Sequence, residues 1–150
     1  RIEKCAGAPP VAWLEHVWSD GIDVHSFDGS SKHIAVQELA GIPLAVSLGV
    51  GNPASIRTSI ESLGARIVHE EPARDHQAYS DERIVGMFAK ARKHGAEGVL
   101  VTPKDWMKLR DKTSSFDKKI SIFVPRLEMK VLEGAAAMED MILRAATLGS

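Results

Sequence analysis

Pro43-Leu44-Ala45-Val46-Ser47-Leu48-Gly49-Val50-Gly51-Asn52-Pro53 is the stretch on which the fold turns. Its first six residues form an apolar run of the length expected for a buried strand. The two glycines allow a tight turn, Asn52 suits a helix N-cap, and Pro53 suits the first helical position, where no amide hydrogen is needed. Ile56, Ile60 and Leu63 follow at i, i+4 and i+7, which puts them on one helical face, and Gly64 supplies a C-terminal stop. Strand, turn and helix call for a second strand, and Ala65 to Glu70, with Ile67 and Val68, predicts it.

The pattern then repeats. A polar loop from Glu71 to Tyr79 leads to Ser80, a helix cap followed by Asp81 and Glu82 in the first turn, where the helix dipole favours negative charge. Ile84, Phe88 and Ala91 give that helix an apolar face, and Gly95 ends it. Gly98 to Val101 predicts a third strand, and Thr102 with Pro103 opens another helix bearing Trp106, Met107 and Leu109. Strands are expected at Ile120 to Val124 and at Met129 to Leu132, separated by Pro125. A closing helix is expected from about Ala135 to Leu148, with Met138, Met141, Ile142 and Ala145 inward.

Before Gly41 the pattern is weaker. Val11 to Trp18 has the spacing of a short helix, Ile22 to Phe27 alternates like a strand, and Asp28-Gly29-Ser30-Ser31 is turn chemistry. We therefore expect residues 1–40 to be a connecting arm and residues 41–150 to be the α/β domain. The β-α-β-α-β order from 43 to 102 predicts right-handed crossovers and a three-layer α/β/α fold with a mostly parallel, Rossmann-like sheet. No Gly-x4-Gly-Lys-Ser/Thr loop occurs in the 150 residues, and the chain, which begins at Arg1, reads as a piece of something larger.

Composition narrows the function classes. A net charge of −1 supplies no field to attract nucleic acid or an anionic membrane, and no apolar run approaches bilayer length. The single cysteine, Cys5, excludes an intrachain disulfide and a cysteine-based zinc site, and the six histidines lack metal-ligand spacing, so no metal site is expected from this chain.

Three motifs follow predicted parallel strands, so they share one edge of the sheet, where ligands of open α/β folds bind. Gly49, Gly51 and Asn52 expose helix-start amides suited to an anion such as phosphate, although a plain strand-to-helix turn reads the same way. Asp75-His76 offers an imidazole that can take a proton from a hydroxyl near neutral pH. Adjacent side chains seldom face each other, so Asp75 is expected to anchor the loop while His76 faces the crevice. Tyr79, the only tyrosine, is expected to buttress that loop. Thr102 and Asp105 match a capping box, with the hydroxyl and the carboxylate satisfying backbone donors. Lys104 is not explained by capping, because its charge opposes the helix dipole, and it suits a nearby anion or acid.

Taken in order, Leu39 to Val46, Gly49-Val50-Gly51-Asn52-Pro53, Leu63-Gly64-Ala65, Asp75-His76-Gln77-Ala78-Tyr79 and Val101 to Leu109 resemble the carboxyl-terminal half of the tetraacyldisaccharide 4′-kinase family. Three positions depart from the family's usual residues: Arg74, Gln77 and Pro103. The resemblance implies an enzyme that transfers the γ-phosphate of ATP to the 4′-hydroxyl of a lipid-linked glucosamine disaccharide 1-phosphate in lipid A biosynthesis. It implies that ATP and Mg2+ are bound mainly by the missing N-terminal P-loop half, with no cofactor held by this fragment, which would be inactive alone. It gives His76 the part of a base working with an acidic residue of that other half. Gly49, Gly51, Asn52, Thr102, Lys104 and Asp105 are the expected substrate- or phosphate-binding residues. The implied partners are the lipid disaccharide and the P-loop half, with no nucleic acid. The implied location is cytoplasmic, at the inner face of the bacterial inner membrane, with room for peripheral membrane contact. Two other readings stay open: a free-standing phosphosugar- or nucleotide-binding module, and a small hydrolase with His76 as base.

Overall fold

The computed structural model describes residues 9–50, 53–72 and 78–148. Within them, residues 18–126 form one compact unit, and residues 9–17 with 127–148 form a second.

The larger unit is built on strands β1 (Trp13–His25, which begins in the smaller unit), β2 (Ser31–Ala35), β3 (Pro43–Ser47), β4 (Arg66–Glu71), β5 (Gly98–Val101) and β6 (Ser121–Glu133, which runs on into the smaller unit). They make a six-stranded sheet in the order β2-β1-β6-β5-β3-β4. The pairs β3–β4, β3–β5 and β5–β6 are parallel, whereas β1–β2 is antiparallel. The helices are α1 (Pro53–Ser62), α2 (Asp81–Lys93), α3 (Pro103–Leu109) and, in the smaller unit, α4 (Ala135–Leu148).

The strand period of two sorts the core into two layers. Leu44, Val46, Leu100 and Phe123 face Ile60 of α1 and Leu39, together with Ile22, Val24, Ile34 and Val36. Ala45, Val99, Val101, Ile122 and Val124 face Ile84, Met87, Phe88 and Ala91 of α2 and Leu109 of α3. Helices thus cover both faces of a mostly parallel sheet, the three-layer arrangement read from the sequence. Residues Leu44, Leu100 and Val99 are fully buried because parallel strands under two helical layers have no wet face. Gly98 is required by this packing: a Cβ there would lie 2.2 Å from the Phe123 ring and 3.2 Å from Leu44 Cδ2.

Four local expectations need correction. Residues 11–18 do not form a helix, because Trp13 onward belongs to β1, whose later residues pair with β2 at Gly21↔Ala35 through His25↔Ser31. Trp13, Leu14, Val17 and Trp18 fit a strand as readily as a helix, and sheet pairing decided between them. Nor does Pro125 split the last sheet segment. The paired register with β5 ends at Phe123, so Pro125 lies where its missing amide hydrogen breaks no bond to that neighbour. The closing helix spans the expected residues, but its apolar side chains are not inward: Met141 and Ile142 are more than half exposed. Residues 18–40, read as the end of an arm, contribute Ile22, Val24, Ile34, Val36 and Leu39 to the core.

Candidate functional site at the split between β3 and β5

The chain leaves β3 through α1 on one face of the sheet to reach β4, returns through α2 on the other face to β5, and leaves β5 through α3. Adjacent strands β3 and β5 therefore send their following helices to opposite faces. This makes a topological switch point, the kind of place beyond the carboxyl ends of the strands where ligands of open α/β folds bind.

Asp105 spans the split between the two strands. Its Oδ2 accepts the backbone N–H of Gly49 at 3.1 Å and the hydroxyl of Thr102 at 2.9 Å. Its own backbone N–H donates to Thr102 Oγ1 at 3.2 Å, so Thr102 caps α3 as the sequence implied. The carboxylate therefore fixes the turn after β3 to the turn after β5. Lys108 Nζ lies 3.8 Å from Oδ1, and Asp105 itself is 2% exposed. Among the described residues, the buried polar side chains are Ser47, Thr102 and Asp105, and all three stand at this rim. Burying polar groups is costly unless they are paired, and here each of the three has a hydrogen-bond partner.

Ser47 ends β3, and its Oγ is 3.4 Å from the hydroxyl of Tyr79. Tyr79 is buried, which pushes its phenol above its ordinary pKa. Tyr79 thus holds the end of the loop after β4 against the end of β3, the buttress expected of it. Arg83, in the first turn of α2, stacks its guanidinium over the Tyr79 ring with Cζ 4.6 Å from the centroid. It also donates to the carbonyls of Ala78 and Pro72 at 3.2 and 3.4 Å. At the end of β4, Glu71 accepts from Lys90 at 3.0 Å and lies 3.3 Å from His69 Nε2. Burial alone would raise the Glu71 carboxyl, but the hydrogen bonds from Lys90 and His69 outweigh it and hold the group below its ordinary range. Val46, Leu48, Pro53, Glu70, Glu71 and Pro72 line a cleft of about 280 Å³ between the ends of β3 and β4 and the start of α1.

Of the residues singled out from sequence, the structure brings Gly49, Thr102 and Asp105 into direct contact and sets Lys104 exposed on the first turn of α3. Gly51, Asn52, Asp75 and His76 lie outside the described residues. Pro72 and Ala78, the described residues on either side of the Asp75-His76 segment, are both held by Arg83 beside the rim. Sequence reasoning missed Ser47 and Arg83. A serine inside an otherwise apolar buried strand and an arginine in an acidic first helical turn were the available signals. Among the described residues, no group of three His, Cys, Asp or Glu side chains could hold a metal ion. No helix among them is long and apolar enough to cross a membrane.

Comparison with known proteins agrees over most of the chain. A protein from Syntrophus aciditrophicus named tetraacyldisaccharide 4′-kinase is 36% identical over 84 residues, covering 56% of this chain and 22% of its own length. A Bordetella parapertussis protein of the same name is 32% identical over 108 residues, covering 69% of this chain and 27% of its own. The chain thus spans about a quarter of the length of these curated relatives. Among solved structures, LpxK from Aquifex aeolicus in complex with ATP aligns over 87% of this chain and 35% of its own, with 18% identity and a TM-score of 0.45. The family profile described as LpxK, tetraacyldisaccharide-1-P 4′-kinase, matches residues 9–147, and the chain belongs to that family.

Proposed function

We propose that this chain is the C-terminal part of an ATP-dependent kinase that phosphorylates the 4′-hydroxyl of a tetraacyldisaccharide 1-phosphate in lipid A biosynthesis. The observation that carries the reading is the rim itself. The turns after β3 and β5 are joined through Asp105 at the switch point, and the anchors of the segment containing His76 lie beside them. Family membership over residues 9–147 supplies the reaction.

In this reading His76 accepts the proton of the 4′-hydroxyl as the hydroxyl oxygen forms its bond to the γ-phosphorus, with ADP leaving. Asp75 anchors the same segment. Gly49, Gly51, Asn52, Thr102 and Lys104 bound the side of the crevice that meets phosphate or sugar, and Lys104 brings a positive charge to it. Asp105 contributes by fixing Gly49 and Thr102. Phosphoryl transfer depends chiefly on positioning and charge neutralisation, so a rigid wall carrying one base is a sufficient contribution from this part. ATP and Mg2+ would be held mainly by the N-terminal P-loop half. The enzyme would work on the cytoplasmic face of the inner membrane, where its lipid substrate lies, and the isolated fragment would be inactive.

His76→Ala in the full-length protein should lower kcat by about 10²–10⁴-fold, the range for loss of a general base, with an unchanged circular dichroism spectrum. Unchanged turnover would remove His76 from the chemistry.

A further inference from the structure

We propose that the outer face of α3, with the residues after it and the tip of the β1–β2 hairpin, docks on an anionic lipid membrane. The overall charge of −1 hides a local excess, because residues 104–119 hold six lysines and arginines against three aspartates. Two of those aspartates are largely covered. Asp105 is buried against Gly49 and Thr102, and Asp117, with its side chain 13% exposed, accepts from Arg92 at 3.0 Å. Asp111 stays outside, 3.8 Å from Arg110 Nε. The face is positive on balance.

The helical repeat gathers the cations. Asp105 and Leu109 are buried, which leaves Lys104, Met107 and Lys108, at i, i+3 and i+4, on the outer side of α3. Lys108 leans back to within 3.8 Å of Asp105 Oδ1, whereas Arg110 is exposed and brings Nη1 to 3.7 Å from Met107 Sδ. The hairpin joins this face through its rings. His25 stacks on Trp106 with 4.0 Å between centroids, and Trp106 meets Phe116 at 6.2 Å. Two residues beyond His25 and Phe116 stand Phe27 and Lys118, with Lys118 Nζ 5.8 Å from the centre of the Phe27 ring.

Charge alone would describe a solvated helix, but the apolar side chains go further. Among the described residues of the larger unit, the large hydrophobics left exposed are Phe27, Val85 and Met107. Two of them stand on this face, at 39% and 55% exposure, each beside a cation. Apolar side chains set among lysines and arginines suit a lipid interface, where the apolar part enters the acyl boundary and the cations stay with the headgroups. These residues, not the proposed reaction, carry the assignment.

The test sediments the full-length protein and two variants, Arg110→Gln/Lys118→Gln/Lys119→Gln and Phe27→Ser/Met107→Ser, with vesicles. The vesicles are phosphatidylcholine alone or equal parts phosphatidylcholine and phosphatidylglycerol. Wild type should prefer the mixed vesicles, and added salt should weaken its binding. The triple variant should bind them about 10²-fold more weakly, roughly fivefold for each cation removed from an anionic surface. The double variant should also bind more weakly, and it carries the test if the triple variant does not fold. Wild-type binding in both variants would overturn the proposal, as would equal binding to the two kinds of vesicle or binding to neither. Binding to native bacterial membranes that the triple variant loses, with none to protein-free vesicles, would assign the face to an acidic membrane protein and overturn it too.

Discussion

Replacing Asp105 by alanine should be among the most damaging polar-to-alanine changes in the larger unit, and the structure says by how much. The substitution removes the acceptor of two hydrogen bonds from buried donors, the Gly49 amide and the Thr102 hydroxyl. A hydrogen bond to a charged group contributes about 1.5–3 kcal/mol, so two amount to roughly 3–6 kcal/mol before any relaxation. Lys108, at 3.8 Å and partly exposed, adds little. We expect a loss of about 3–5 kcal/mol, the range seen when one partner of a buried charged contact is removed. Asp105→Asn keeps one carbonyl oxygen and should cost about half as much. Thr102→Ala removes the cap of α3 and should cost about 1 kcal/mol. Urea unfolding followed by circular dichroism, with a shared m-value, gives the three numbers. Hydrogen exchange gives a direct reading, since the Gly49 amide should lose protection in Asp105→Ala before the strand amides of β3 do. The reasoning is refuted if Asp105→Ala costs no more than Thr102→Ala, for then only the cap matters and the tie to Gly49 contributes nothing.

Two further outcomes can be measured on the same protein. Gly98→Ala should destabilise by about 1–3 kcal/mol through overpacking, because the added methyl meets the Phe123 ring at 2.2 Å; combining it with Phe123→Leu should recover part of the loss, and simple additivity would contradict the contact. Glu71 has a folded pKa below its unfolded one, so its contribution is present above the ordinary carboxylate range and is lost as pH falls through the lowered folded value. The stability deficit of Glu71→Gln should therefore be seen at pH 7 and fade toward pH 3 in urea titrations, and a deficit that persists at pH 3 would show that the ion pair is not its source.

The central β-α-β-α-β order could be read from the chain because its signals are local. Pro53 and Pro103 at helix starts, Ser80 and Thr102 as caps, and Gly64 and Gly95 with φ of +79° and +72° at helix ends act within a few residues. What could not be read depends on partners distant in sequence. Trp13 to Trp18 carries a spacing compatible with two structures, and pairing across the sheet chose the strand. Pro125 looked like a break because sequence cannot show that β5 has ended beside it. The apolar residues of α4 predicted a buried face, but the described residues of its own small unit give Met141 and Ile142 no covering layer. At the rim, the identities of Gly49, Thr102 and Asp105 could be proposed from their positions after strands. Asp105 reaches across 56 positions to Gly49, a pairing that no spacing rule contains.

The Asp105 bridge has one more consequence. Turns on either side of a strand split are free in principle to drift apart, and a molecule entering between them would have to halt that motion itself. Here the spacing of the two lips is settled as the polypeptide folds. Any ligand that entered between them would meet an aperture of fixed width, and the ordering cost that usually weakens association would already have been met.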